Sequence, residues 1–183
     1  IDTVRETIED PQLGKFVREY IFDEVIPTID IPHDQMVAYS NSVLERYENP
    51  FVRHELMSIA LNSVTKYKTR NLPALVQNIE AGRFPKHALF SLAALIAFYR
   101  GKRGNEDIAL KDDEWALEFF KKEWASFDGS KEACKKIVTD FLGLEKHWEM
   151  NLNNLKGVTD FVTDCLYEIE TKPMREALAF IGC

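Results

Sequence analysis

A nearly all-helical domain is what this sequence predicts, from three of its features. Apolar residues recur with the 3.6-residue helical period along almost the whole chain. No run of β-branched residues is bracketed by hairpin turns such as Asn-Gly or Asp-Gly. The stretch ALFSLAALIAF, Ala88 to Phe98, is apolar nearly all round, as a helix at the centre of a bundle must be. With 183 residues and 45% hydrophobic content the chain can bury one sizeable core, and it reads as a single domain over 1–183.

The elements follow in order. A short helix from about Thr3 to Glu9 stops at Asp10-Pro11, because the residue before proline disfavours the helical region. A second runs from about Pro11 to Val25, with proline suited to its first turn and Phe16, Tyr20 and Ile21 on one face. IPTIDIPHD, with Pro27 and Pro32, is an extended connector. The helix from about His33 to Tyr47 has a core stripe of Met36, Val37, Val43, Leu44 and Tyr47, and Asn49-Pro50 breaks the chain after it. Another helix, about Val52 to Ser63, leads into a cationic stretch. Leu72 to Glu80 is helical and stops at Gly82. The central helix spans about Pro85 to Tyr99. GKRGNED, 101–107, is a loop, read as a solvated connector or a lid.

Beyond it, DDEWALEFFKKEWASF is an amphipathic helix with Asp112 and Asp113 placed to cap its own N-terminus. Gly129-Ser130 starts the helix KEACKKIVTDFLG, which ends at Gly143. NLNNLKGVTDFVTDCLYEIE supplies one long helix and PMREALAFI a final short one.

Charge and composition exclude several classes of function. The formal net charge is -7 and both signs are interspersed, which argues against a general nucleic-acid binder or a ligand of acidic membranes. The apolar run Ala88 to Phe98, 11 residues, is about half a bilayer span, so no membrane segment is expected. IDTVRETIEDPQ has no apolar signal core, so no secretory leader is expected, and the chain is expected to begin within a longer protein. Cys134, Cys165 and Cys183 form no CxxC pair and are odd in number, which points to reduced thiols and a cytoplasmic setting. GxGxxG and GxxxxGK[ST] are absent, so this chain is not expected to bind a dinucleotide itself. The histidines at 33, 54, 87 and 147 lie far apart and none belongs to an HExxH pair, so no metal site is expected. His54 and His87 read either as surface or satisfied core residues or as general-base or substrate contacts.

One cluster invites chemistry. LNSVTKYKTRNLP, residues 61–73, sets Lys66, Lys68 and Arg70 within five residues of an acidic chain. If helical, Lys66 and Arg70 share a face and Lys68 points elsewhere. If extended, all three share one side. The cluster reads either as a solvated helix end opposing the helix dipole or as an anion site. In the second reading a lysine acts as a point charge, Arg70 grips a carboxylate, and Asn62, Ser63 and Thr65 add the hydrogen-bond partners a sugar needs.

The run VLERYENPFVRHELMSIALNSVTKYKTRNLPALV, followed by FPKHALFSLAALIAFYRG, resembles the C-terminal domain of the mannitol dehydrogenase family of long-chain polyol dehydrogenases. The LNSVTKYKTR and FPKH stretches are similar to its hexuronate-reducing branch. This resemblance covers most of the chain and is strongest from Val43 to Gly101. It implies an all-α, substrate-side domain like the helical domain of 6-phosphogluconate dehydrogenase-like enzymes, partnered with an N-terminal Rossmann domain that holds NAD and is absent from this chain. It implies hydride transfer between NAD and the ketone of D-tagaturonate, giving D-altronate, with this fragment inactive alone. Fructuronate or mannitol dehydrogenation is the alternative within the family, and a non-enzymatic helical protein-interaction module the alternative outside it.

The catalytic motif implied by the family, Lys-x4-Asn-x2-His, is expected upstream of Ile1. Lys66 and Asn71 have its first spacing, but Ala74 stands where histidine is required, and no histidine here has asparagine three residues before it. The family's Arg-Ile-Ala-x5-Lys substrate-contact stretch is matched by SIALNSVTK, with Lys66 at the lysine and Ser58 at the arginine. The resemblance therefore implies a sugar-acid substrate held by Lys66, and the anion-site reading of the cluster adds Lys68, Arg70 and Asn62 as further candidates.

Overall fold

The computed structural model describes residues 1–104 and 106–183 and is an all-α bundle with one minimal hairpin. Its helices are α1 (Val4–Glu9), α2 (Pro11–Glu19), α3 (His33–Tyr47), α4 (Leu56–Ile59), α5 (Ser63–Lys66), α6 (Leu72–Glu80), α7 (Lys86–Phe98), α8 (Glu114–Trp124), α9 (Lys131–Leu142), α10 (Glu145–Trp148), α11 (Val158–Thr171) and α12 (Met174–Ala179). No helix among the described residues is long and apolar enough to cross a membrane.

The expected central helix is the centre. Leu89, Leu92, Ala93 and Ile96 of α7 are fully buried and pack chiefly against α11, which contributes Val158, Val162, Cys165 and Leu166. Helix α9 seals the far side of α11 with Ile137, Val138 and Phe141. An aromatic seam closes the end of the core: Tyr99 stacks on Phe120 at 4.5 Å, Phe120 meets Phe141 at 4.9 Å, and Phe141 meets Trp148 at 5.1 Å. Burial raises the Cys134 thiol to about 11 and the Cys165 thiol to about 12, and all three cysteines are free.

The helix pair at the N-terminus is fixed by caps and one close approach. Thr3 and Glu6 form a reciprocal capping box on α1, and Asp10 caps α2 through Gln12 and Leu13. At Gly14 of α2 the backbone lies against the Ile8 carbonyl of α1, inside the space a Cβ would need. Gly14→Ala is therefore expected to destabilise the fold by about 1–3 kcal/mol, against the roughly 1 kcal/mol that helix propensity alone would add. Urea unfolding of the variant measures the sign.

Several expected elements differ. The helix expected from Pro11 to Val25 changes to a π-helix at Tyr20–Val25, and Ile26–Thr28 is a 3₁₀ turn within the connector. In α3, Tyr47 is exposed rather than core, while Met36, Ser40 and Leu44 are buried. The expected helix Val52 to Ser63 is only the single turn α4. Residues before it run extended, with Val4 N–H donating to the His54 carbonyl at 3.0 Å and Leu56 N–H to that of Asp2 at 2.8 Å. The long helix expected over 151–170 is likewise broken. Leu152–Asn154 is a 3₁₀ turn that ends at Leu155 in extended conformation, and Gly157, at φ +78°, stands just before α11, a left-handed geometry that a helix cannot run through. Helix α10 has no counterpart among the expected elements. The 101–107 stretch forms a two-residue antiparallel pair, β1 (Lys102–Arg103) with β2 (Glu106–Asp107), and Asn105 lies outside the described residues.

Candidate functional site

The cationic stretch is helical from Ser63 onward, but not regularly so. Asn62 adopts the left-handed conformation at φ 53°, which asparagine tolerates better than most residues and which separates α4 from α5. Helix α5 passes into a π-helix at Tyr67–Asn71 and then into α6, forming one continuous rod. Its N-terminus is satisfied from elsewhere in the chain. Ser63 N–H donates to Asp112 at 2.9 Å, and the Tyr99 hydroxyl donates to the same carboxylate. Asp112 and Asp113 thus differ from the expectation that they cap α8: neither makes a side-chain cap bond there, because Asp112 is drawn to the orphan N–H of α5 and to Tyr99.

Helical geometry separates the three cations. Lys66 and Arg70, four residues apart, line one concavity of about 380 Å³ together with Ser63, Tyr67, Asn71, Ser91 and Leu95. The Lys66 Nζ donates to the Ile59 carbonyl at 2.8 Å, a bond that fixes the ammonium and leaves two of its protons for another acceptor. Arg70 is exposed, and no carboxylate among the described residues lies within ion-pair distance of it. Lys68 points away and pairs with Glu149 at 2.8 Å, holding that carboxyl below its usual range. On that side burial, with Lys68 next, also lowers the His147 pKa. Asn62 is exposed and outside the concavity, as is Ser58, whose hydroxyl donates to the Glu55 carbonyl at 2.7 Å. Thr65 reaches Asp113 only at 3.4 Å.

The floor of the concavity was not legible in sequence. Asn71 accepts from the Tyr20 hydroxyl at 3.0 Å, so the two π-helical segments are tied side chain to side chain. Burial, then the charge of Glu24, pushes the Tyr20 phenol up to about 12. Tyr67, fully enclosed beneath the rod, donates to the Ala88 carbonyl at 2.7 Å, and burial raises its pKa strongly. Ser91 enters from α7, a helix read only as core. An ammonium held at one side, a guanidinium with no carboxylate partner among the described residues and the neutral polar groups of Ser63, Asn71 and Ser91 can bind a small polyhydroxylated anion.

The mannitol dehydrogenase C-terminal domain family matches residues 1–170. Altronate oxidoreductase of Klebsiella pneumoniae (strain 342) is 40% identical over 179 residues, 97% of this chain and 37% of that protein. Altronate oxidoreductase of Enterobacter sp. (strain 638) is 38% identical over the same share of each. The chain thus spans a little over a third of the length of these relatives. Among solved structures, Pseudomonas fluorescens mannitol 2-dehydrogenase, in ternary complex with NAD and D-mannitol, superposes with a TM-score of 0.85. At 18% identity that match covers 98% of this chain and 35% of that one.

Proposed function

Since this chain belongs to the mannitol dehydrogenase family, as its C-terminal domain, we propose that it is the substrate-side part of an NAD-dependent oxidoreductase that interconverts D-tagaturonate and D-altronate. The observation that carries the choice of a sugar acid is the shared face of Lys66 and Arg70, with Arg70 free of any carboxylate partner among the described residues. A hexuronate brings one carboxylate. Arg70 meets it with a planar fork, and Lys66, held by the Ile59 carbonyl, adds a fixed point charge to the sugar. Ser63, Asn71 and Ser91 offer neutral partners to its hydroxyls. Lys68 and Asn62 drop out of this reading as ligands.

This chain's residues do not fit a dinucleotide: it has no glycine-rich loop, and the two-residue hairpin is the sheet among the described residues. NAD, which when bound gives or takes the hydride, is assigned to an N-terminal Rossmann domain of the parent protein. The domain here contributes orientation and charge neutralisation. Met57, Ile59 and Leu61, all exposed in and just after α4, form an apolar margin near Lys66 that suits docking of that domain.

The test is kinetic. In the full-length enzyme with NADH, tagaturonate is expected to be reduced in preference to fructuronate and fructose, and the isolated chain to reduce none of them. Lys66→Ala and Arg70→Ala are each expected to raise the KM for tagaturonate by about 10- to 100-fold, the loss of one charge-assisted contact. An unchanged KM in both variants would sink the assignment, and Lys68→Ala serves as the control that leaves it unmoved.

A further inference from the structure

Away from that cleft, three metal-ligating side chains from distant parts of the chain converge on one point. Glu19 ends α2, His87 opens α7 and Cys183 follows α12. The His87 Nε2 lies 2.9 Å from a Glu19 carboxylate oxygen, the Cys183 Sγ 3.4 Å from the same oxygen, and Sγ and Nε2 3.6 Å from each other. A tetrahedral zinc ion bonded at about 2.3 Å to sulfur and about 2.0–2.1 Å to nitrogen and oxygen spaces its ligand atoms roughly 3.3–3.6 Å apart. Both sulfur edges of the triangle have that length already. The nitrogen–oxygen edge is a few tenths of an ångström short, the length of the hydrogen bond that now occupies it.

The surroundings are those of a built site. The other ring nitrogen of His87, Nδ1, is held at 2.7 Å by Glu24, which also accepts from the His87 and Ala88 backbone N–H groups, so the imidazole is buried and cannot rotate. A carboxylate behind a ligating histidine is the usual outer support of such metals. Cys183 is pinned by its neighbours: Gln12 donates to its carbonyl, Lys15 to that of Gly182 and Lys86 to that of Ile181. Glu19 is about one-third exposed, which leaves a solvent-facing side for a fourth ligand.

We infer that Glu19, His87 and Cys183 form a binding site for a borderline-soft divalent cation, zinc first, that ties α2, α7 and the segment after α12 together. One sulfur, one nitrogen and one carboxylate oxygen exclude magnesium and calcium, which need shells of oxygen. The charges balance. The ion displaces the proton shared by Nε2 and Glu19 and the thiol proton of Cys183, so two protons leave as one divalent cation enters, and no electron moves. Lys15, 3.6 Å from the far oxygen of Glu19, offsets the remaining negative charge at the rim. No motif announced this site, because its ligands lie 68 and 96 residues apart in sequence.

Cobalt(II) titration of the full-length protein that carries this chain is the test. One equivalent is expected to produce a sulfur-to-cobalt charge-transfer band that zinc abolishes, and X-ray absorption of the zinc form to place one sulfur at about 2.3 Å with nitrogen and oxygen nearer 2.0 Å. Cys183→Ala is expected to lose the band, and Cys183→Ala and Glu19→Gln each to bind zinc at least about 100-fold more weakly, more than loss of an outer-shell partner would cause. Absence of the band at one equivalent overturns the site, as does a band unchanged in Cys183→Ala or a shell of nitrogen and oxygen alone. The wild-type measurements need no variant to fold.

Discussion

Glu24→Ala is expected to lower the unfolding free energy by about 3–5 kcal/mol, the loss typical when one member of a buried charged cluster is removed. Glu24 is 6% exposed and sits in the π-helix that follows α2. Helix α7 begins after Pro85 with no side-chain cap of its own, and the Glu24 carboxylate supplies that cap across the fold, accepting from the N–H groups of His87 and Ala88 at 2.8 Å each. Alanine strands both of these N–H groups and the His87 ring in an enclosed space at the start of the central helix. Asn78, which donates to the Glu24 backbone carbonyl, keeps its partner in the variant, so the loss reports the carboxylate alone. Urea denaturation measures it; a change within the ±0.5 kcal/mol of an ordinary surface substitution would refute this account of how α7 starts.

Trp148→Ala should cost a comparable amount, about 3–5 kcal/mol, as a large aromatic removed from a closed core. Trp148 is 1% exposed, packs edge-on against Phe141 at 5.1 Å and Tyr67 at 6.3 Å, and donates its indole N–H to the Phe141 carbonyl at 2.8 Å. The variant leaves a cavity directly behind Tyr67, which underlies the Lys66–Arg70 rod. Trp148→Phe keeps most of the volume and loses only the hydrogen bond, so it should cost about 1–3 kcal/mol. Thermal unfolding of both separates packing from hydrogen bonding. Equal losses in the two would mean that the indole N–H, not the ring, holds this end of the core.

The features that sequence made legible are those set by periodicity. The apolar α7, the break at Asp10-Pro11, the helix start after Gly129-Ser130 and the end of α6 at Gly82 all stand where the residues predict them. What periodicity missed depends on partners far along the chain. The Val52 to Ser63 segment has helical composition, yet its backbone bonds go to Asp2 and Val4, and Asn62 turns left-handed. His87 reads as an isolated histidine because Glu24 and Cys183 are 63 and 96 residues away. In the cationic cluster the spacing alone says that Lys66 and Arg70 share a face once the segment is helical. Which face, and that Lys68 meets Glu149 in the left-handed turn after α10, takes the tertiary structure.

The π-helical turn at Tyr67–Asn71 bears on how such a cleft diversifies. It is what a rod looks like after one residue has been added without displacing the packed segment beyond it: Leu72, Ala74 and Leu75 keep their core contacts while everything N-terminal rotates by about 100°. A single inserted or deleted codon in this turn therefore re-aims Lys66 about the rod axis and leaves the core of α6 unchanged. The direction in which the Lys66 ammonium points would then be written in chain length at 67–71 as much as in residue type.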